Sequence, residues 1–235
     1  KRLIIETTGL ADPVPIMGSL LNEPVIGSTY RLDAVVVTVD SIYGIQQTAQ
    51  HQEAKKQVAV ADVLLLTKTD LASTEQIKNL QNTLLELNAG ASQYLIKNGN
   101  VAPQDIIDIG LFDAKKQATP QRWLKAPAQP KGLLASNHSS AIKSFTIALP
   151  SPLSYDQLEP KLEWLCENHG EQLLRMKGIL HVDDQPAPLA IHAVHKTFYN
   201  PTLLNGWTEA PAISRLVLIG ENLDEETIRK ELMKI

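Results

Sequence analysis

Three short apolar runs, each closed abruptly by polar residues, set the terms on which this chain can fold. Leu3-Ile4-Ile5 breaks into Glu6-Thr7-Thr8-Gly9, Ala34-Val35-Val36-Val37 leads on to Asp40, and Val63-Leu64-Leu65-Leu66 ends in Thr67-Lys68-Thr69-Asp70. A strand that is apolar at successive positions has both faces covered, which is the condition of a parallel sheet flanked by helices. Such open sheets place their ligands beyond the carboxyl ends of the strands, and that is where the polar residues fall.

Glu6 and Gly9 lie just past the first run. In nucleoside triphosphatases an acidic residue here holds Mg²⁺, often through water, and a nearby backbone N–H meets the terminal phosphate. Glycine suits that contact because no side chain projects from its Cα. A strand ending in Thr-Gly is equally an ordinary turn, so this stretch does not decide the matter alone.

The third run adds specificity. Thr67-Lys68-Thr69-Asp70 resembles the guanine-specificity motif of GTPases, Asn-Lys-x-Asp. An aspartate can accept from both N1–H and the exocyclic amine of guanine, whereas adenine offers no such donor pair. Lys68 can lay its methylene stem along the base. A loop that merely contains Lys and Asp is the alternative. Against it stands the order strand, Glu-x-x-Gly, strand, helix, strand, Thr-Lys-x-Asp.

Glu6-Thr-Thr-Gly-Leu-Ala-Asp-Pro13, Ala61-Asp62, Thr67-Lys-Thr-Asp-Leu71 and Leu174-Arg-Met-Lys-Gly-Ile-Leu180 together resemble the CobW family of P-loop GTPases. The resemblance implies an α/β chain: a partial P-loop GTPase domain with a mostly parallel sheet over 1–113, a linker over 114–140 and a smaller α+β C-terminal domain over 141–235. It implies GTP and Mg²⁺ as cofactors, with Glu6 as catalytic residue and metal ligand. Thr8, Gly9, Thr67, Lys68, Asp70 and Leu71 would contact the nucleotide. It also implies a role in metal-cofactor assembly, cobalamin synthesis or zinc handling, with a client metalloprotein as partner and Zn²⁺ or Co²⁺ held largely upstream of Lys1. Two departures stand out: Thr67 replaces the usual Asn, and neither G-x-x-x-x-G-K-[ST] nor Cys-x-Cys-Cys occurs in the 235 residues. Both are expected upstream of Lys1, and the chain alone is expected to be inactive as a GTPase. The rival expectation is a non-enzymatic protein-binding module on a degenerate GTPase scaffold.

The remaining elements follow from periodicity. Helices are predicted over Pro13–Leu21, Ser41–Ala61, Ser73–Leu87 with a Ser73/Gln76 capping box and Gly90 as terminator, and Asp105–Leu111; strands are predicted over Leu32–Val39 and Tyr94–Ile96. Residues 114–140, with Pro120, Pro127, Pro130, Trp123 and Leu124, lose apolar periodicity and read as the linker. Beyond it the prediction is a strand at Ile142–Leu149 and a helix capped by Ser154 and Gln157 that contains Pro160. Strands at Leu173–Leu180, Leu189–Tyr199 and Ser214–Ile219 and a helix from Asp224 complete an α+β sandwich. Arg175 and Lys177 alternate with apolar neighbours, which suits either a solvated strand face or a contact surface for the GTPase domain or a client.

Net charge is −4 and the chain has one cysteine, Cys166. These leave no electrostatic footprint for nucleic acid or anionic membrane and no disulfide framework. No apolar run approaches the length of a membrane span, and a cytoplasmic setting is the expectation. His51, the Cys166/His169 pair and the His192/His195 pair have metal-ligand chemistry, but on a strand residues 192 and 195 would face opposite ways.

Overall fold

The computed structural model describes residues 2–30, 32–107, 109, 141–183, 185–204 and 212–234; the expected linker, with Trp123 and Leu124, and the end of the helix expected at Asp105–Leu111 lie outside them. Leading into that last stretch, Pro103–Asp105 forms one 3₁₀ turn.

The first sheet has three parallel strands in the order β1 (Val36–Asp40), β2 (Val63–Thr67), β3 (Ser92–Leu95). Central β2 has Val63 to Leu66 buried, as its unbroken apolar run requires. β1 begins later than periodicity suggests. The Asp62 carboxylate takes the Val35 N–H at 2.9 Å, while the Val35 carbonyl accepts from Asp62 and Val63 N–H.

Leu3, Ile4 and Ile5 do not form the expected strand. They join no ladder and are 60, 85 and 49 % exposed. An extended segment without a partner strand leaves its N–H and C=O groups to water, so apolar content alone does not make it a strand. Before Gly9 an exposed ion pair joins Arg2 to Asp33 at 3.6 Å; the Gly9 carbonyl then accepts from the Gln57 amide, and Asp12 caps α1 (Pro13–Asn22) through the Val14 N–H.

After α2 (Pro24–Thr29), the single helix expected over 41–61 is two, α3 (Gly44–Gln50) and α4 (Gln52–Val60), separated by extended backbone at His51. Helix α5 (Thr74–Leu87) has the expected Ser73/Gln76 capping box. Its end is set by Asn88 rather than Gly90. The buried Asn88 amide donates to the Val58, Ala59 and Ala61 carbonyls, and its oxygen accepts from Gly90 and Ala91 N–H. One side chain thus ties the end of α5 to the end of α4.

The second sheet is antiparallel: β4 (Ile142–Leu149), β9 (Ser214–Glu221), β5 (Leu173–Leu180), β6 (Leu189–Val194) and β7 (Thr197–Phe198) in that order, with β8 (Thr202–Leu203) also on β6. The expected strand 189–199 is a hairpin, and His195 turns it at φ 51°. Helices α6 (Tyr155–His169) and α7 (Glu225–Leu232) cover one face, packing Leu158, Leu162, Leu165, Ile228 and Leu232 on Phe145, Ile147, Met176 and Leu218. Ser154 leads into α6, but its hydroxyl caps nothing; the first turn closes through Leu158 N–H to the Ser154 carbonyl, and Pro160 sits inside the helix.

The opposite face of this sheet is not solvated. Ile142, Leu174, Val194, Val217 and Ile219 pack against Val14 and Met17 of α1 and Ala59 and Val60 of α4. All eight residues of β5 are buried in consequence.

Candidate functional site

The carboxyl ends of β1 and β2 lie side by side, with Asp40 opposite Thr67 in register. Ser41 N–H donates to the Thr67 carbonyl at 3.0 Å, and the Thr67 hydroxyl donates to the Val39 carbonyl at 3.3 Å. Lys68 follows in the left-handed region, φ 56°, with its ammonium 2.6 Å from Asp40 Oδ2. The Thr69 hydroxyl donates to the Ile96 carbonyl just past β3, and Leu71 N–H closes the turn on the Lys68 carbonyl. Side chains therefore pin this loop to both neighbouring strands. Asp70 and Leu71 stand exposed at its tip.

Asp40 does more than cap the next helix. Oδ1 accepts from Ile42 and Tyr43 N–H at 2.7 and 3.1 Å, and Oδ2 accepts from Lys68. Partial burial works to raise its pKa, yet the Lys68 ammonium and the two amides outweigh it and hold the carboxyl below the usual range.

Glu6, Thr8 and Gly9 are exposed, and the structure does not join them to this loop. Thr8 closes a turn through its carbonyl to Ala11 N–H. Around Gly9 a Cβ would meet nothing within 4 Å. The Gln57 amide donates to the Gly9 and Ala11 carbonyls, and Lys56 pairs with Asp12 at 2.8 Å, so α4 carries this segment.

The opposite end of β2 holds a cluster that periodicity did not reveal. Arg175 and Lys177, 6 and 8 % exposed, both meet Asp62 Oδ1 at 2.6 Å, and Arg175 Nη1 donates to the Val60 carbonyl. The solvated-face reading of these two cations is therefore corrected. They are buried because α4 and the start of β2 cover their side of β5, which makes them a contact with the first sheet's unit. Burial opposes ionisation of Asp62, but the two cations hold it far below the usual carboxylate range. Burial, with Arg175 alongside, pulls Lys177 down to about 8 despite Asp62. The available signals were Asp62 immediately before a buried strand and two cations at i, i+2 in an otherwise apolar one.

The described histidines and the cysteine make no metal centre. Among the described residues no three His, Cys, Asp or Glu side chains converge as one would require. His51 separates two helices, and His169 packs edge-on against Trp164. Buried Cys166 has its thiol pushed up to about 11 by burial and by Glu163 and Glu167. His192 stacks on Tyr199 with ring centroids 4.1 Å apart, whereas His195 occupies the hairpin turn. No helix among the described residues is long and apolar enough to cross a membrane.

Residues 1–94 match the profile of the CobW/HypB/UreG nucleotide-binding domain, and residues 142–235 that of the cobalamin synthesis protein cobW C-terminal domain. The chain is 31 % identical over 229 residues to the zinc chaperone YjiA of Escherichia coli (strain K12), spanning 97 % of this chain and 69 % of that protein. It is 27 % identical to the zinc-regulated GTPase metalloprotein activator 1 of Dictyostelium discoideum, over 78 % of this chain but only 43 % of that protein. The crystal structure of Zn(II)-bound YjiA GTPase from E. coli superimposes with a TM-score of 0.77 at 28 % identity, covering 95 % of this chain and 67 % of that one. With a pinned Thr-Lys-x-Asp loop at the carboxyl edge of a parallel sheet, and both halves matched, the chain belongs to the CobW family of P-loop GTPases.

Proposed function

We propose that this chain serves a GTP-binding and GTP-hydrolysing switch of zinc handling. The observation that carries the reading is the loop after β2, where Lys68 is held on Asp40 and the Asp70 carboxylate stands exposed two residues on. That arrangement suits a guanine lying along the lysine stem with its N1–H and amine directed at Asp70. Thr67 and Leu71, on either side in the chain, would contact the same nucleotide.

Glu6 would supply a carboxylate for Mg²⁺, which such sites bind through one or two carboxylates and the substrate phosphates. The Thr8 and Gly9 backbone, open to approach, would meet the terminal phosphate. The segment moves into that role only if its contacts with α4 allow it, so Gln57 and Lys56 are the residues that restrain it.

Zinc enters from the relatives, which are named as zinc chaperones and zinc-regulated activators. In this reading the ion is cargo or effector for a client metalloprotein, with Co²⁺ as the alternative metal. The described residues of this chain do not converge on a zinc site of their own.

Replacing Asp70 by Asn in the full-length protein tests the guanine assignment. The amide oxygen still accepts from N1–H, but its NH2 now presents a donor where guanine carries its exocyclic amine, so preference is expected to move from GTP toward XTP, whose base carries a carbonyl at that position. Nucleotide competition binding reads the outcome, and unchanged base preference would remove the assignment.

A further inference from the structure

Asp40 is not part of the Thr-Lys-x-Asp motif, yet it controls where that motif's lysine can be. Both carboxylate oxygens are engaged: Oδ1 on the Ile42 and Tyr43 amides, Oδ2 on the Lys68 ammonium at 2.6 Å. The two amide bonds fix the Asp40 rotamer, so the ion pair acts as a strut and does not swing like an ordinary surface pair. The strut reaches across from β1 to the first residue after β2, bridging adjacent strands at the edge where ligands bind.

Stability does not account for this arrangement. Lys68 is more than half exposed in the pair, and exposed ion pairs contribute little to folding. Lys68 also keeps a left-handed backbone that non-glycine residues avoid, and such strain persists where surrounding contacts enforce it. The Thr67 and Thr69 hydroxyls hold the loop to either side, leaving the lysine stem as the movable part. A free four-carbon stem would sample many rotamers and present no fixed wall to a base.

We propose that Asp40 is a positioning residue for nucleotide recognition: it tethers the Lys68 ammonium so that the lysine stem forms one fixed wall of the guanine slot while Asp70 reads the base edge. This role rests on the guanine reading of the loop.

The test is a double-mutant cycle on GDP binding by the full-length protein, read by titration with fluorescently labelled GDP. Asp40→Asn keeps the amide-capping oxygen but removes the charge that holds Lys68. It is expected to weaken GDP binding by about threefold to tenfold. In a Lys68→Met background the same substitution is expected to change affinity by less than about 1.5-fold, because residues acting through one another are non-additive. A role confined to shaping the β1–α3 turn would instead give the same loss in both backgrounds, and that result overturns the proposal. So does an Asp40→Asn protein whose GDP affinity stays within about 1.5-fold of wild type. If the unsubstituted protein prefers ADP to GDP, the guanine reading itself fails and the Asp40 role fails with it. Guanine selectivity with additive variants removes the Asp40 role alone.

Discussion

At the amino end of β2, Asp62 meets Arg175 and Lys177 at 2.6 Å; at the carboxyl end, Lys68 meets Asp40 at the same distance. The five residues of β2, about 16 Å of strand, separate the two contacts. At the amino end every partner is enclosed between two sheets, so the charges interact with little screening and their desolvation is large. At the carboxyl end water reaches the lysine, and the pair contributes geometry more than energy. Distance alone therefore says nothing of what an ion pair does. Enclosure decides whether it holds domains together or aims a side chain.

Four substitutions put this contrast at risk. The largest effect belongs to Asp62→Ala, which leaves two buried cations facing each other and the Val35 amide without its acceptor. A loss of about 3–5 kcal/mol is expected by denaturant unfolding, and a loss below about 1 kcal/mol would mean that water already screens the cluster.

His192 comes next, through pH. Burial, aided by Arg175 and Lys177, depresses its folded pKa to about 3, against about 6.5 in an unfolded chain. Between those values the unfolded chain takes up a proton that the folded one refuses, so stability falls as pH drops from about 6.5 toward 3. His192→Phe, which preserves the ring on Tyr199, should remove about 1–2 kcal/mol of the stability difference between pH 7 and pH 5. An unchanged pH slope would show that the imidazole titrates normally. The Asp62 contribution runs the same way but lower. Its depressed carboxyl stabilises the fold above about pH 4 and loses that effect as pH falls further, so the two windows can be separated.

Lys177→Met should alter stability by no more than about 1 kcal/mol, because Arg175 remains to balance Asp62 and a costly buried cation is removed. A much larger loss would make Lys177 indispensable to the cluster. The smallest effect is expected for Lys68→Ala, whose melting temperature should stay within about 1 °C of wild type. A clear drop would assign the exposed pair a structural role that its solvation does not suggest.

The sequence made some of this legible for physical reasons. β2 was readable because four consecutive apolar residues have few alternatives to a strand buried on both faces, and the end of that run placed Thr67, Lys68 and Asp70 correctly at the sheet's edge. Ser73 with Gln76 announced α5 because both halves of its cap are local. What failed either depends on a distant partner or is a local signal that the fold leaves unused. Leu3 to Ile5 have strand composition but no ladder among the described residues, Ser154 resembled a cap yet its hydroxyl is unused, and Val194-His195-Lys196-Thr197 folded back where alternation suggested continuity. For Arg175 and Lys177 alternation leaves a solvated face and a contact surface both open, and the contact surface is what forms. A cation beside an apolar residue implies water only while nothing else covers that face, and the cover comes from residues more than 100 positions earlier.

The two-sided burial of the second sheet has a consequence for how the chain is made and handled. A ribosome releases α1 and α4 long before β5 and β9 exist, so the surface that receives the later strands is already synthesised when they emerge. Cut away from that surface, residues 141–235 would present Leu174, Val194, Val217 and Ile219 to solvent around two cations deprived of Asp62. Such a piece is expected to be sticky when produced by itself, and co-production with the preceding residues is the route to keeping it in solution.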